Sequence, residues 1–413
     1  MAARVINPTM TPAETLQLLR STTDFMPLGE STGNLTLGHG TLNGFPIHIA
    51  LVENKTASGS IGARECNKLA SLFRIITTQK TPLLLYLDSA GARVSEGLSA
   101  LGAFRQMYRA ALEMALSGAP ITALLGTHCY GGASMLAALA DLRVFSTSTQ
   151  LAMSGPTILA AAAEASALDD AFRAITEAGI GAAARAKLSP LNVLHWDFDA
   201  APAEKNWYRQ HQILGAHPGI QSALTGIKEE PVQRKDLTAL YPLGYQGFET
   251  ASVFFGNAQD ADGKIYLLGI IDKRLLGVAR TWALAERVWS LVKKAPTRLH
   301  ILVDCEAHSA QLDDERAMLS CYLADLALAL MSLAKVGTVI ETTVLGRVGG
   351  GVYVALAAAS HKVNLLHGAN IQLLPSKAVA SILGEAEVAK YNLSDYLKSG
   401  VADDELKVGF LRS

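Results

Sequence analysis

The 413-residue sequence predicts an α/β protein made of two tandem copies, each with a parallel sheet. Three observations carry this. Gly131–Gly132 heads an Ala-rich helical stretch followed by a short strand and Pro156; the same pattern recurs at Gly350–Gly351 and Pro375, with both landmarks 219 residues on. The apolar runs 82–87 (PLLLYL) and 299–303 (LHILV) have the length of buried strands, and each is followed by an acid, Asp88 or Asp304. Strand-like and helix-like segments alternate in both copies, which implies right-handed crossovers between parallel strands.

In chain order, residues 1–34 read as a partly helical lead-in, and 40–52 as a hairpin turning at Asn43-Gly44. A helix over 61–79, a strand over 82–87, a helix over 98–116 and a strand over 120–125 lead to the first glycine pair. The second copy repeats this with a hairpin over 261–271 turning at Asp262-Gly263, then a helix over 280–294 and a strand over 299–303. A helix over 315–335 and a strand over 338–345 complete it. Gly44 and Gly263 are again 219 residues apart, but Asp88 and Asp304 are 216 apart, so the second copy is three residues shorter there. Residues 196–260 lack a counterpart and mix Gly, Pro and both charge signs. They read as the end of one domain and a linker, giving domains 1–215 and 262–413 with 216–261 as linker and entry to the second domain.

Composition narrows the function. Half the residues are hydrophobic and the net charge is −1. With no basic stretch, nucleic acid is not the expected partner. The four cysteines form no C-x-x-C pair, which predicts no zinc ribbon and a reducing cytoplasm. No secretory pattern opens the chain, and no run reaches the roughly 20 apolar residues of a membrane span. No His/carboxylate spacing predicts a metal site.

The chemistry-bearing candidates are loops. In Tyr130-Gly131-Gly132-Ala133-Ser134, glycine lets backbone N–H groups approach a ligand, and the helix start adds partial positive charge. That suits an oxyanion, although tight packing uses small residues too. Gly350 and Gly351 repeat the pattern. Ser134 is not in a G-x-S-x-G elbow, and no G-K-[ST] follows Gly349–Gly351. The loop Asp88–Gly97 lies at the carboxyl end of a predicted strand, where α/β sheets place ligands. In it Gly91 and Ala92 offer backbone amides, while Arg93 serves either to bind a carboxylate or to pair with Glu96. Ser58, Gly59 and Ser60 form a further Gly/Ser loop that binds substrate or merely caps a helix. His128, Tyr130, His308 and Tyr353 lie on or beside these loops as proton-donor candidates.

GTLNGFPIHIA, SGSIG, LDSAGARVSEG and CYGGAS…AMSGP together resemble the β-type half of acyl-CoA carboxyltransferases, above all the malonate decarboxylase β subunit. From about residue 262, LVDCEAHSAQLDDERAMLSCYLADLALAL and LGRVGGGVYVALAAASHKVNLLHGANIQLLPS resemble the γ subunit of that biotin-independent enzyme. The chain looks like both subunits fused, over most of 35–413. The resemblance implies the crotonase-type fold, with ββα units whose helix N-termini form oxyanion holes. It also implies decarboxylation of a malonyl thioester on an acyl-carrier protein, through an enolate held near Gly131–Gly132 or Gly350–Gly351. No covalently bound cofactor is expected; the substrate arrives on a phosphopantetheine arm or CoA, and the partners are an acyl-carrier protein and further copies of the chain. Ala307 and Ser309 stand where the γ-type pattern carries Gly and Arg, the first half has Ser-Ala-Gly where two adjacent glycines are common, and no Met-Lys-Met biotinyl segment is present. Carboxyl transfer to or from biotin, and a non-catalytic carrier-binding role, are the alternatives.

Overall fold

The computed structural model describes residues 5–163, 169–198 and 206–374, so Pro375, the second landmark of the repeat, lies outside the described residues. The chain forms two compact units, neither contiguous in sequence. The first comprises residues 1–96, 106–205 and 310–321; the second comprises 97–105, 206–309 and 322–413.

In the first unit, helix α1 (Pro12–Thr22) starts from a reciprocal cap: Thr11 Oγ1 accepts the Glu14 N–H, and the Glu14 carboxylate accepts the Thr11 N–H. An eight-stranded sheet follows. Its path runs β1 (Met26–Pro27), β2 (Leu35–Leu42), β3 (Phe45–Val52), β4 (Leu83–Ser89), β5 (Ile121–Tyr130), β6 (Leu142–Val144) and β8 (Asn192–Val193), with β7 (Gln150–Ala152) beside β5. The β2–β3 hairpin turns at Asn43-Gly44, both at positive φ, as expected from the dipeptide. Pairing is parallel from β3 through β6. The crossovers are α2 (Ala63–Gln79), α3 (Gly97–Leu116) and α4 (Gly132–Ala138). Every residue of β4 is buried, because helices cover both faces of a parallel strand. Ile49, Leu51, Leu84, Tyr86, Leu124 and Val144 form the core. Beyond β7 lie α5 (Pro156–Ala162), α6 (Asp170–Ile180) and α7 (Ala182–Ala186), against which the short helix Leu312–Arg316 packs.

The second unit repeats the plan. Its sheet runs β9 (Glu230–Pro231), β10 (Tyr245–Thr250), β11 (Val253–Asp260), β12 (Gly263–Lys273), β13 (Arg298–Cys305), β14 (Val339–Gly349) and β15 (Lys362–Leu365), with β16 (Asn370–Gln372) beside β14. Its helices include α8 (Trp207–Gly215), α9 (Val278–Val292), α10 (Leu319–Lys335) and α11 (Gly350–Ala357). Both units therefore show the α/β architecture of repeated ββα units expected from the sequence.

Three local expectations need correction. The second hairpin turns at Ala261-Asp262, with Asp260 paired to Gly263, because the Asp260 carboxylate accepts the Asp262 N–H and holds Arg298. The helix expected over 315–335 is broken at Met318, whose φ of 63° no α-helix accommodates. Residues 245–260 are not linker; they form two antiparallel strands that extend the second sheet.

The acids after the two apolar runs share one structural job. At both places the parallel register slips, between Leu87 and Ser89 and between Val303 and Cys305. Asp88 Oδ1 accepts the His128 N–H at 3.0 Å, and Asp304 Oδ1 accepts the Arg347 N–H at 3.1 Å, each satisfying the irregular neighbouring strand. A Cβ on Gly126 would lie 2.4 Å from Asp88 Cβ, and one on Gly346 would lie 2.2 Å from Asp304 Oδ1. Gly126→Ala and Gly346→Ala are each expected to destabilise the protein by about 1–3 kcal/mol, read as a lowered urea midpoint at unchanged slope.

Candidate active site

The first unit gathers its predicted loops at the carboxyl ends of β4, β5 and β7. The Ser58–Ser60 turn packs on the end of β4: Ala90 N–H donates to Ser58 O at 2.9 Å, and a Cβ on Gly59 would fall 2.0 Å from Asp88 O. Ala57 and Ser58 both have positive φ, a strained conformation for non-glycine residues. The loop is pinned by buried Asn34, whose side-chain amide donates to Thr56 O and Ser60 O and accepts the Thr56 N–H.

Gly91 meets the glycine pair. Its φ is +92°, and a Cβ there would lie 2.8 Å from Tyr130 O and 3.0 Å from Gly132 N. Ile61 bridges this strand end, donating its N–H to Gly91 O and accepting the Arg93 N–H. The alternation of an extended chain therefore turns the N–H of Ala92 to the side away from Ile61. Gly132 opens α4, where helix geometry leaves N–H groups without intrahelical acceptors. Neither the Ala92 nor the Gly132 N–H has an acceptor among the described residues.

The direction of the Gly132 N–H is fixed from both sides. Gly131 has φ 54° and ψ −130°, and its own N–H is shared between Ala152 O and Met153 O, both at 3.1 Å. Its carbonyl accepts the Ser134 N–H at 3.0 Å and Ser134 Oγ at 2.7 Å. In a trans peptide the carbonyl and the following N–H point opposite ways, so anchoring Gly131 O sets Gly132 N–H.

The side chains sort differently from the sequence expectation. Arg93 is committed within the protein: it donates to Ser60 O at 2.8 Å and Glu96 Oε1 at 2.8 Å, and to Glu65. Burial alone would lower its pKa, yet the two carboxylates outweigh this and raise it. Of its two predicted roles, the structure displays the ion pair, with Glu65 as the stronger, unforeseen partner. Ser60 is buried and turns its hydroxyl to Arg93 at 3.3 Å, whereas Ser58 is exposed. Tyr130 donates its phenol to Gln150 Oε1, Gln150 donates to Glu177 at 2.5 Å, and burial pushes the phenol pKa up. His128 is freer: its side chain is 42% exposed, with Nδ1 3.9 Å from Asp88 Oδ1 and its ring 5.5 Å from that of Tyr130.

The second unit repeats the frame with a different filling. Leu276 donates to Ala307 O at 2.9 Å and accepts the Ser309 N–H at 3.0 Å, as Ile61 does with Gly91 and Arg93. Ala307 thus stands at Gly91, His308 at Ala92 and Ser309 at Arg93. Ala307 is buried, and its methyl is 3.5 Å from where a Cβ on Gly349 would be. Gln372 Nε2 donates to Glu306 O in the same loop at 3.2 Å. Gly350 has φ +34° and Gly351 follows it into α11, but the space that Gly91 leaves open in the first unit is here taken by a methyl group. Tyr353 is fully buried, with no hydrogen-bond partner for its hydroxyl among the described residues. Arg280, three residues after Gly277 as Glu65 is after Gly62, pairs with Asp272 at 2.6 Å, so this unit carries its cation on the helix rather than in the loop.

Sequence reasoning missed two buried ionisable residues, Glu315 and Arg185, beside the glycine turn of the first unit. Glu315 accepts the Met153 N–H at 3.0 Å and the Ser154 N–H at 2.6 Å, and burial raises its carboxyl to about 7. Arg185 donates to Leu151 O at 2.7 Å and to Arg316 O at 3.2 Å, and burial lowers it to about 10. Both are fully buried. Among the described residues no cluster has the make-up of a metal site, all four cysteines are free, and no helix is long and apolar enough to cross a membrane.

Residues 12–170 match the carboxyl transferase domain family. Among curated proteins, the 12S subunit of methylmalonyl-CoA carboxyltransferase from Propionibacterium freudenreichii is 32% identical over 30% of this chain and 23% of its own length. The acetyl-coenzyme A carboxylase carboxyl transferase subunit beta 1 of Roseiflexus castenholzii is 29% identical over 30% of this chain and 42% of its own length. The chain thus spans less than half the length of these relatives. Among solved structures, transcarboxylase 12S aligns over 97% of this chain and 86% of its own, at 17% identity and a TM-score of 0.36. A chain of the Pseudomonas malonate decarboxylase hetero-tetramer aligns over 45% and 76%, at 21% identity and 0.39.

Proposed function

We propose that the chain decarboxylates a malonyl thioester, presented on the phosphopantetheine arm of an acyl-carrier protein, to the acetyl thioester. The observation that supports this best is the approach of Gly91 to Gly132, beside which the Ala92 and Gly132 N–H groups have no acceptors among the described residues. In this reading the thioester carbonyl accepts both N–H groups. The bond between the methylene carbon and the carboxylate then breaks, CO2 departs, and the electron pair left behind spreads onto the thioester oxygen as an enolate. Two preset amides stabilise that oxygen more than the ground-state carbonyl, each lowering the barrier by about 3–4 kcal/mol. A proton delivered to carbon completes the acetyl group. His128 is the donor of choice: it is accessible, whereas the Tyr130 phenol is committed to Gln150.

Two tests follow. Incubation with malonyl-carrier protein, and separately malonyl-CoA, is followed by intact mass; loss of CO2 that avidin does not inhibit is expected, and an unchanged carrier thioester with folded protein would overturn the reading. His128→Asn is expected to lower kcat by about 100-fold, and Tyr130→Phe by only about fivefold, the worth of one hydrogen bond. Equal losses would assign the proton elsewhere.

The family match over residues 12–170 favours a second reading, carboxyl transfer between an acyl-CoA and biotin held on another protein. It uses the same enolate, and turnover that requires a biotinylated carrier would identify it.

A further inference from the structure

Glu315 comes from the second repeat in sequence but is built into the first unit, where both its carboxylate oxygens accept backbone N–H groups at full burial. The peptide units it holds are the ones that hold the glycine turn. Met153 donates its N–H to Glu315 and offers its carbonyl to the Gly131 N–H, which Ala152 O shares. The Gly131 backbone in turn sets the direction of the Gly132 N–H. Three links therefore join a buried carboxylate to a backbone donor of the proposed site: Glu315 to Met153, Met153 to Gly131, and Gly131 to Gly132. Arg185 fixes the neighbouring strand residue by donating twice to Leu151 O, and its donation to Arg316 O ties it to the residue after Glu315.

We propose that Glu315 is a positioning residue for the first unit's backbone donors: its carboxylate presses the Met153–Ser154 segment against Gly131 and so aims the Gly132 N–H. This rests on the reading of that N–H as the donor to the thioester oxygen. The effect belongs to the transition state, since a misaimed donor weakens the bond to the enolate more than the bond to the ground-state carbonyl.

The test compares Glu315→Gln, Glu315→Ala and Leu312→Ala with the unaltered full chain. Leu312 sits on the same short helix and packs on the Ala152, Leu159 and Ile180 cluster, so its truncation loosens that helix without touching the carboxylate. Glu315→Gln keeps one acceptor oxygen and is expected to lower kcat about 10-fold, and Glu315→Ala about 100-fold, each with KM within about threefold. Leu312→Ala is expected to lower Tm while leaving kcat within about twofold. Amide hydrogen exchange, which needs no substrate, should show both Glu315 variants losing protection in 128–135 as well as in 150–156. Protection lost only in 150–156, or a kcat loss in Leu312→Ala equal to that in Glu315→Gln, overturns the proposal. If the unaltered chain turns over no malonyl thioester, the reading of function fails by itself, and hydrogen exchange still decides whether Glu315 fixes the glycine turn.

Discussion

Gly91→Ala should abolish most turnover while leaving the protein folded. The new methyl would sit 2.8 Å from Tyr130 O and 3.0 Å from Gly132 N, in the space where a bound oxyanion would meet the amide. The backbone there has φ +92°, which an L-residue resists, so the strand end must shift as well. Losing or misplacing one oxyanion donor costs about 10²–10³ in kcat; with the methyl blocking the slot outright, a fall of at least about 100-fold is expected. The reciprocal change, Ala307→Gly in the second unit, removes a methyl from a buried loop and should leave turnover within about twofold, since the proposed chemistry lies in the first unit. Single-turnover decay of malonyl-carrier protein, followed by mass, reads both. A Gly91→Ala protein with ordinary kcat would remove the glycine slot from the mechanism.

The second large effect concerns stability. Glu315→Ala strips the Met153 and Ser154 N–H groups of their Glu315 acceptor in a fully buried setting. Leaving a buried donor without its acceptor costs about 1–3 kcal/mol, so the loss of both is expected to cost about 2–6 kcal/mol. Acidity acts in a defined sense. Burial raises the folded carboxyl to about 7 from an ordinary value of 4.5, so the folded state binds the proton more tightly. The contribution of this group to stability is therefore present below about 4.5 and is lost as pH rises to about 7. Denaturant titrations of the unaltered chain and Glu315→Gln across that window should differ in slope, the variant lacking this decline. Matching slopes would show that Glu315 is not the group responsible.

The parallel sheets, the alternation of elements and the loops of the first unit were legible because their signals are local. An apolar run of strand length, an Asn-Gly turn and a glycine pair before alanines each fix their structure within a few residues. What was not legible depends on partners far apart in sequence. Glu315 sits in Asp313-Asp314-Glu315-Arg316, which reads as a solvated helix surface, and indeed Asp313 and Arg316 are exposed. Only the tertiary fold turns Glu315 inward. The assignment of Arg93 to Glu65 spans 28 residues and required knowing which face of α2 is buried. The strands 245–250 and 253–260 were hidden because Gly247 and Gly256 interrupt the alternation, and their turn uses Ala251 and Ser252 at positive φ rather than Asn-Gly. Gly256 is required there, since a Cβ would lie 2.0 Å from Gln246 O.

The first unit takes in residues 310–321, about a hundred residues after its preceding stretch ends at 205. During synthesis the ribosome delivers Glu315 well after the turn it anchors. At elongation rates of about 5–20 residues per second, the 161 residues from Ser154 to Glu315 leave the glycine turn roughly 8–32 s without its anchor. Through that interval the Met153 and Ser154 N–H groups lack the Glu315 carboxylate, and the apolar patch of Ala152, Leu159 and Ile180 lacks the helix that carries Leu312. The nascent chain is then open to chaperones and proteases at the very place where the proposed chemistry will later be set.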